Sequence, residues 1–259
     1  MVAVHDPTLV HPDLVRLTNA LGDPAADLAI LAEGNTSARL GDGRVVVKAS
    51  GSNLASATAE DFVVVDVPPL VDLMTDPGST QEDLTAALDA GVVAGRHRRG
   101  SIEALVHAAV HALAPADRPL YVGHTHPTPV LGLLASVVAE HAWSEWVYSD
   151  EAVVVGRPLY VPYAQPGIDL GRVYYDALRR RLDDTGEMPQ LILLGNHGIV
   201  AVSPTAAGVE AVSAMAVKGA RVRIAAYSVG GVAALPAASV ERFFARADIA
   251  ERRGDLATG

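Results

Sequence analysis

The chain has 259 residues, half of them hydrophobic, and a formal net charge of -10 at pH 7. Binding to a phosphate backbone needs clustered Lys and Arg, so this acidic balance argues against a nucleic-acid surface. The sequence contains no apolar run of membrane-spanning length and no charged-then-apolar leader, so we expect no membrane association and a cytoplasmic location.

Cysteine is absent, while nine histidines are present. A transition-metal site in this chain would therefore have to use His, Asp or Glu side chains, and disulfide bonds are excluded. No linker rich in Pro, Gly or Ser and no block of charge divides the chain. We therefore predict a single domain over residues 1–259.

The first third of the chain predicts helices followed by a β-hairpin. Leucines recur near helical spacing over residues 8–31, and Gly22-Asp-Pro24 divides them into two helices. A turn at Gly41-Asp42-Gly43 leads into the strand Arg44–Lys48. A second apolar run, Phe62–Asp66, predicts another strand.

Two small polar segments, 33–39 and 49–53, flank the first of these strands, and we interpret both as loops. Backbone N–H groups in loops rich in Gly, Ser, Asn and Thr can form concave anion sites, to which Lys48 could add a positive charge. Ordinary turn chemistry is the alternative for either segment considered alone.

The next region predicts a helix over Gln81–Val93, a solvated basic loop at Arg96-His-Arg-Arg99 and a second helix from Ser101 to Leu113. Ser101 can cap the second helix, and Glu103 in its first turn suits the helix dipole. Two further histidines of this helix, at 107 and 111, are interpreted as packing or hydrogen-bonding residues.

The segment Tyr121–Thr128 predicts a short strand that Pro127 ends. Residues i and i+2 of a strand point to the same side, so His124 and His126 would present two imidazoles together. This is a metal-chelating pattern, although a structural histidine pair has the same spacing.

A third histidine, His197, lies between glycines at the joint of two apolar strands in the run Leu191–Val202. Packing explains a histidine at such a hairpin poorly, so His197 is the natural third ligand. The remaining predicted elements are a strand and four helices: strand 159–163 and helices 129–141, 170–182, 204–229 and 240–259.

Five segments in one order resemble the class II aldolase/adducin family. They are Gly34-Asn-Thr-Ser-Ala-Arg39, Lys48-Ala-Ser-Gly51, Ser101-Ile-Glu103 with His107, His124-Thr-His126 and Gly195-Asn-His-Gly198. Within this family, the resemblance is strongest to the aldolase part of rhamnulose-phosphate aldolase-like proteins. It rests on the residues of these segments, on the segment Val161-Pro-Tyr-Ala-Gln-Pro-Gly167 and on the long insertion before Ser101. The resemblance implies a three-layer α/β/α fold with a largely antiparallel central sheet.

The resemblance also implies the chemistry. His124, His126 and His197 would hold Zn²⁺ or another divalent transition metal, and Glu103 would shuttle a proton at the carbon of an enediolate that the metal stabilises. Tyr148 is the candidate proton donor for the aldehyde oxygen. The implied phosphate-binding residues are Asn35, Lys48, Ser50, Gly51 and Ser101.

The reaction that the resemblance implies is cleavage of a short ketose 1-phosphate to dihydroxyacetone phosphate and an aldehyde, by a homo-oligomer, commonly a tetramer. Ile102 stands where the fuculose-phosphate type has a second serine, so the substrate could also carry a carboxylate or no phosphate. The alternatives are a pentulose-phosphate 4-epimerase, a metal-dependent decarboxylase and a non-catalytic adducin-like interaction domain. No dehydrogenase domain is expected to follow.

Overall fold

The computed structural model describes residues 3–258, in which β-strands lie between two layers of helices. The strands are β1 Ala3–Val4, β2 Asn35–Gly41, β3 Arg44–Lys48, β4 Phe62–Asp66, β5 Asp89–Val93, β6 Arg96–Arg99, β7 Tyr121–Thr125, β8 Leu159–Val161, β9 Leu191–Leu194 and β10 Gly198–Ser203. The helices are α1 Pro12–Leu21, α2 Val67–Thr75, α3 Gln81–Ala87, α4 Ala104–Leu113, α5 Thr128–Leu134, α6 Ser149–Val155, α7 Ile168–Thr185, α8 Ala206–Ser228, α9 Ala237–Phe244 and α10 Ala247–Thr258.

Eight strands form the central sheet in the spatial order β1-β4-β3-β2-β7-β10-β9-β8. Neighbouring strands pair antiparallel throughout, except that β8 runs parallel to β9. Strands β5 and β6 form a separate hairpin. The predicted three-layer α/β/α fold with a largely antiparallel sheet is confirmed.

Successive side chains of a strand point to opposite faces of the sheet, so the core is divided between the two faces. On β3, Val45 and Val47 pack with Leu105 of α4, whereas Val46 faces the opposite side and packs with Leu14 of α1. The β-branched side chains suit a pleated surface that is buried on both faces. Helices α2, α4 and α7 contact one another on the first face, and α1, α5 and α8 contact one another or a shared partner on the second.

Two predictions for the N-terminal region are wrong. The helix expected to continue to Leu31 is absent, because Asp27 and Leu31 both have a φ of 54° and the backbone O of Leu28 instead accepts a hydrogen bond from the N–H of His126. The segment 33–39 is largely a strand rather than a loop, since Asn35–Gly41 forms β2. Its small polar residues are buried between neighbouring strands, where pairing satisfies the backbone.

The predicted helix 81–93 is too long, because it ends at Ala87 and the chain then enters the β5–β6 hairpin. Gly91, with a φ of 77°, lies where the register of this hairpin shifts. The basic segment Arg96–Arg99 is therefore a strand and not a solvated loop.

Three further boundaries differ from the predictions. The helix expected over 129–141 ends at Leu134, the strand 159–163 ends at Val161, and the single C-terminal helix is divided into α9 and α10. The helices predicted over 170–182 and 204–229 are confirmed as α7 and α8. The helix predicted from Ser101 to Leu113 is present as α4, but it begins at Ala104, so Ser101 does not cap it and Glu103 is its N-cap residue rather than part of its first turn. None of the helices within residues 3–258 is long and apolar enough to cross a membrane.

Candidate metal centre

Four side chains meet at one end of strands β7 and β10, next to the start of α4. Each offers one possible ligand atom, and these atoms lie within 4.8 Å of one another. The four residues are Glu103, His124, His126 and His197.

The strand register explains why these distant segments of the sequence meet. His124 on β7 pairs with Asn35 on β2 and with Val200 on β10. His197 precedes β10 by one residue, in the turn after β9. Gly198 permits this approach, because a Cβ atom there would lie 2.4 Å from the backbone O of Thr125.

The distances in the cluster suit a bound cation. Nε2 of His124 lies 3.0 Å from Nε2 of His126 and 3.3 Å from Oε2 of Glu103. Nε2 of His197 lies 2.8 Å from Oε1 of Glu103. Two ligands that each lie 2.0–2.1 Å from one zinc ion are separated by about 3 Å. Three imidazole nitrogens and one carboxylate, without sulfur, form a donor set that zinc and similar transition metals accept.

The Nδ1 atoms of the three imidazoles lie outside the cluster, which leaves their Nε2 atoms available to it. Nδ1 of His124 donates to the backbone O of Ile199 at 2.8 Å. Nδ1 of His126 lies 3.8 Å from Oε2 of Glu33, and Nδ1 of His197 is buried without a hydrogen-bond partner among the described residues. A backbone or carboxylate partner on the other ring nitrogen is the usual way in which a protein orients a metal-binding histidine.

The cluster perturbs the protonation of its own members. Burial alone would raise the pKa of Glu103, but the charges and hydrogen bonds of His124 and His197 outweigh burial and hold this pKa well below its usual range. Burial opposes the charged form of His124, yet the adjacent Glu103 carboxylate raises its pKa. Burial and the charges of His124 and His197 lower the pKa of His126 to about 3. The carboxylate thus favours the charged form of His124, whereas the neutral form of His126 is favoured.

The cluster opens toward solvent on one side. The side chain of His124 is 1% exposed, whereas those of Glu103 and His126 are 12% and 18% exposed. A small molecule could therefore reach the carboxylate and the outer imidazole without displacing His124.

Two of the residues expected to bind an anion, Asn35 and Ser101, lie beside Glu103. The amide Nδ2 of Asn35 donates to Oε2 of Glu103 at 2.7 Å and to Oγ of Ser101 at 3.1 Å. Gly51 has a φ of 80°, and the space beside its Cα is open. The N–H of Ser50 is already used, because it donates to the backbone O of Arg99 at 2.8 Å.

Lys48 does not extend toward solvent as a free charge. Its residue is 1% exposed, and its Nζ donates to the backbone O atoms of Ala49 and Ser52 at 3.1 and 2.6 Å. Burial lowers its pKa to about 8, although the carboxylates of Asp61 and Glu103 oppose this shift. Lys48 thus stabilises the conformation of the 49–52 loop through hydrogen bonds to its backbone.

Tyr148 contacts a different part of the molecule. It precedes α6, and its hydroxyl donates to Sδ of Met215 on α8 at 2.9 Å. Burial and the Glu151 carboxylate raise its pKa to about 12. Among the described residues, the contacts of Tyr148 therefore do not join it to the histidine cluster.

Sequence reasoning missed two residues near the site. Glu33 lies beside His126, and Ser37 is hydrogen-bonded to both His107 and His111. Both belong to the Glu33–Arg39 segment, but its interpretation as a loop hid the period-two alternation that a strand gives to Asn35 and Ser37.

Comparison with known proteins agrees with this architecture. YgbL from Klebsiella pneumoniae, a putative aldolase/epimerase/decarboxylase, is similar with a TM-score of 0.64 and 20% identity, over 92% of this chain and 98% of that one. The L-fuculose-1-phosphate aldolase of Thermus thermophilus is similar with a TM-score of 0.56 and 17% identity, over 87% and 99% of the two chains.

The uncharacterized oxidoreductase YuxG of Bacillus subtilis (strain 168) is 26% identical over 154 residues. This match covers 60% of the present chain but only 20% of YuxG, so the chain spans about a fifth of that relative's length. Residues 13–224 match the family described as Class II Aldolase and Adducin N-terminal domain. The chain therefore belongs to the class II aldolase and adducin N-terminal domain family.

Proposed function

We propose that this protein is a zinc-dependent lyase that cleaves a short ketose 1-phosphate to dihydroxyacetone phosphate and an aldehyde. The observation that carries the proposal is the convergence of three imidazole Nε2 atoms and the Glu103 carboxylate within 4.8 Å. Class II aldolases are metal-dependent, and L-fuculose-1-phosphate aldolases are among the structures that share this fold.

In this proposal His124, His126 and His197 hold the zinc ion, whose positive charge stabilises the negative charge that develops on the substrate oxygens. Glu103 moves the proton to and from the substrate carbon. Its partial exposure leaves it accessible to a substrate carbon.

The phosphate group would bind to Asn35, Ser101 and the exposed residues Ser50 and Gly51 of the 49–52 loop. The hydroxyls of Ser50 and Ser101, the amide of Asn35 and the N–H of Gly51 are the proposed donors. The buried amine of Lys48 would act through the loop that it holds, as well as by its charge. Tyr148 remains our candidate for the proton donor to the aldehyde oxygen.

Two alternative enzyme functions use the same site. YgbL is described as a putative aldolase/epimerase/decarboxylase, which keeps a pentulose-phosphate 4-epimerase and a metal-dependent decarboxylase under consideration. An adducin-like binding domain is a further alternative, against which the cluster of three histidines and Glu103 weighs.

The test is to incubate the zinc-loaded protein separately with rhamnulose 1-phosphate, fuculose 1-phosphate, pentulose phosphates and keto acids. We expect release of dihydroxyacetone phosphate from at least one ketose 1-phosphate, measured by coupled oxidation of NADH, and no release by the His124→Ala variant. Epimerisation without an aldehyde, or release of CO₂ from a keto acid, would replace the aldolase by one of the two alternatives. Absence of all three activities in zinc-loaded protein would support the binding domain.

Three further expectations belong to this proposal. The first is a single domain over residues 1–259, which the contribution of both halves of the chain to one sheet supports. The second is a homo-oligomer, for which a tetramer is our prediction. The third is a cytoplasmic location. Light scattering and fractionation of the source cells test the last two.

A further inference from the structure

A chain of buried polar side chains runs from Glu103 into the layer between β2 and α4. Four residues form it, and none is more than 6% exposed: Asn35, Ser37, His107 and His111. Such a chain is costly to bury unless its hydrogen bonds are made, so its presence calls for an explanation.

The hydrogen bonds of the chain are continuous. Asn35 Nδ2 contacts Oε2 of Glu103 at 2.7 Å, and its Oδ1 forms a short hydrogen bond with Nε2 of His107. Nδ1 of His107 lies 2.7 Å from Oγ of Ser37, which lies 2.8 Å from Nε2 of His111.

The orientation of the Asn35 amide fixes the direction of these bonds. Its Nδ2 donates to Oε2 of Glu103 and its Oδ1 faces Nε2 of His107, and a carbonyl oxygen can only accept, so His107 is the donor of that bond. His107 then carries its proton on Nε2 and accepts the hydroxyl proton of Ser37 on Nδ1. The Ser37 oxygen in turn accepts from Nε2–H of His111.

Both histidines are neutral in this arrangement. Burial and the charge of His124 lower the pKa of His107 to about 3, and burial holds that of His111 well below its ordinary value. A reversed Asn35 amide would turn its carbonyl toward the Glu103 carboxylate and would require the opposite tautomer of His107. The hydrogen bonds of Asn35 to Glu103 and to His107 thus both oppose a reversal of its amide.

We propose that His107, supported by Ser37 and His111, is a positioning residue that holds the Asn35 amide with its NH₂ toward Glu103 and the bound anion. The catalytic part of this inference rests on the proposed function, whereas the tautomer does not. Asn35 is the group that touches substrate, and His107 acts only through it.

The first test uses metal-free protein with ¹⁵N-labelled histidine. Long-range ¹H–¹⁵N spectra, assigned with the His107→Gln and His111→Gln variants, report which ring nitrogen carries the proton. We expect neutral rings at pH 7 with the proton on Nε2 in both residues. A proton on Nδ1 of His107 would overturn the proposal, whether or not the protein is an aldolase.

The second test compares two substitutions that each keep half of the imidazole. In His107→Gln the amide NH₂ can replace Nε2–H and still donate to Asn35, whereas in His107→Asn the shorter side chain can replace only the Nδ1 acceptor. We expect proton exchange of dihydroxyacetone phosphate with solvent to fall about tenfold in His107→Asn and less than about threefold in His107→Gln.

The same measurement in an Asn35→Ala background separates positioning from stability. His107→Asn should then lower the rate no further, because its effect passes through Asn35. Equal losses in the Gln and Asn variants, or full additivity with Asn35→Ala in folded protein, would contradict the proposal. If wild-type protein exchanges no proton while His107 shows the expected tautomer, the proposed function fails and the orientation of Asn35 stands.

Discussion

Five histidines lie around Asn35 and Glu103 in two groups with opposite surroundings. His124, His126 and His197 bring their Nε2 atoms together beside a carboxylate, on a side that is open to solvent. His107 and His111 are almost completely buried and share the hydroxyl of Ser37. The first group has lone pairs left for a cation, whereas the second uses both nitrogens of His107 in hydrogen bonds within the protein.

The residue type and its spacing therefore do not decide whether a histidine is available for a metal or forms hydrogen bonds within the protein. His107 and His111 have a helical i, i+4 spacing that can bind zinc, yet their neighbours are a serine and an amide. His124 and His126 have a spacing that is equally common in structural pairs, yet a third imidazole and a carboxylate meet them. The neighbours that the fold supplies make the distinction.

The two groups of histidines should differ most in metal binding. We expect His124→Ala to weaken zinc binding by about 100-fold or more, because it removes one ligand of three, and to abolish activity with it. His107→Gln is the matched control and should keep about one zinc per subunit. Metal analysis after dialysis against a weak chelator measures both variants, and full occupancy in His124→Ala would reject the assigned centre.

Glu103 contacts His124 and His197 directly and is connected to His107 through Asn35, and its replacement should separate metal binding from chemistry. We expect Glu103→Gln to lower kcat by about 10²-fold or more, since an amide cannot take a proton from the substrate carbon, while the zinc content hardly changes. Glu82→Gln, an exposed change in α3, serves as the control. Proton exchange of dihydroxyacetone phosphate isolates this step from C–C cleavage. Exchange at the wild-type rate in zinc-loaded Glu103→Gln would assign the base elsewhere.

Replacement of Lys48 tests whether the proposed anion subsite binds phosphate. We expect Lys48→Met to raise the KM of a phosphorylated substrate about tenfold with a smaller change in kcat, because in the proposed site the loop that the amine holds binds the phosphate, which does not react. The KM of the unphosphorylated ketose should stay the same. Equal activity of the wild type on both forms of the substrate would show that the subsite does not recognise phosphate.

His107 should also change how the free energy of unfolding of the metal-free protein depends on pH. The pKa of His107 is about 3 in the folded chain and about 6.5 in an unfolded one, so the unfolded state binds more protons below pH 6.5. The stability that this residue contributes is present above pH 6.5 and is lost as the pH falls toward 3, by about 1.4 kcal/mol per pH unit.

The control for this last effect is His107→Gln, which has no titrating ring at the same position. Its free energy of unfolding, from urea titrations at pH 6.5, 5.5 and 4.5, should fall by about 1 kcal/mol less per pH unit than that of the wild type. Parallel curves for the two proteins would mean that His107 is charged or that its pKa is ordinary in the folded chain.

Much of the fold follows from local patterns. The apolar runs of β3, β4, β9 and β10 and the amphipathic helix α7 are read directly from the order of residues, because burial of one or both faces demands that order. The errors fall where the local pattern favours one structure and tertiary contacts impose another. The segment 27–31 has helical spacing of leucines, but its backbone bonds to His126 instead.

By itself the sequence determined which chemical groups are available: nine histidines, no cysteine, and the short motifs that carry Glu103, His124 and His197. It also determined the strands and helices whose periodicity reflects burial. It also singled out His126 and named these three histidines as candidate ligands. The tertiary structure was needed to show that they lie within 4.8 Å of one another and of Glu103, that Lys48 is buried beneath its loop, and that Ser37 joins His107 to His111. These outcomes depend on strand register and on contacts between residues up to about a hundred positions apart, which no local pattern of hydrophobicity encodes.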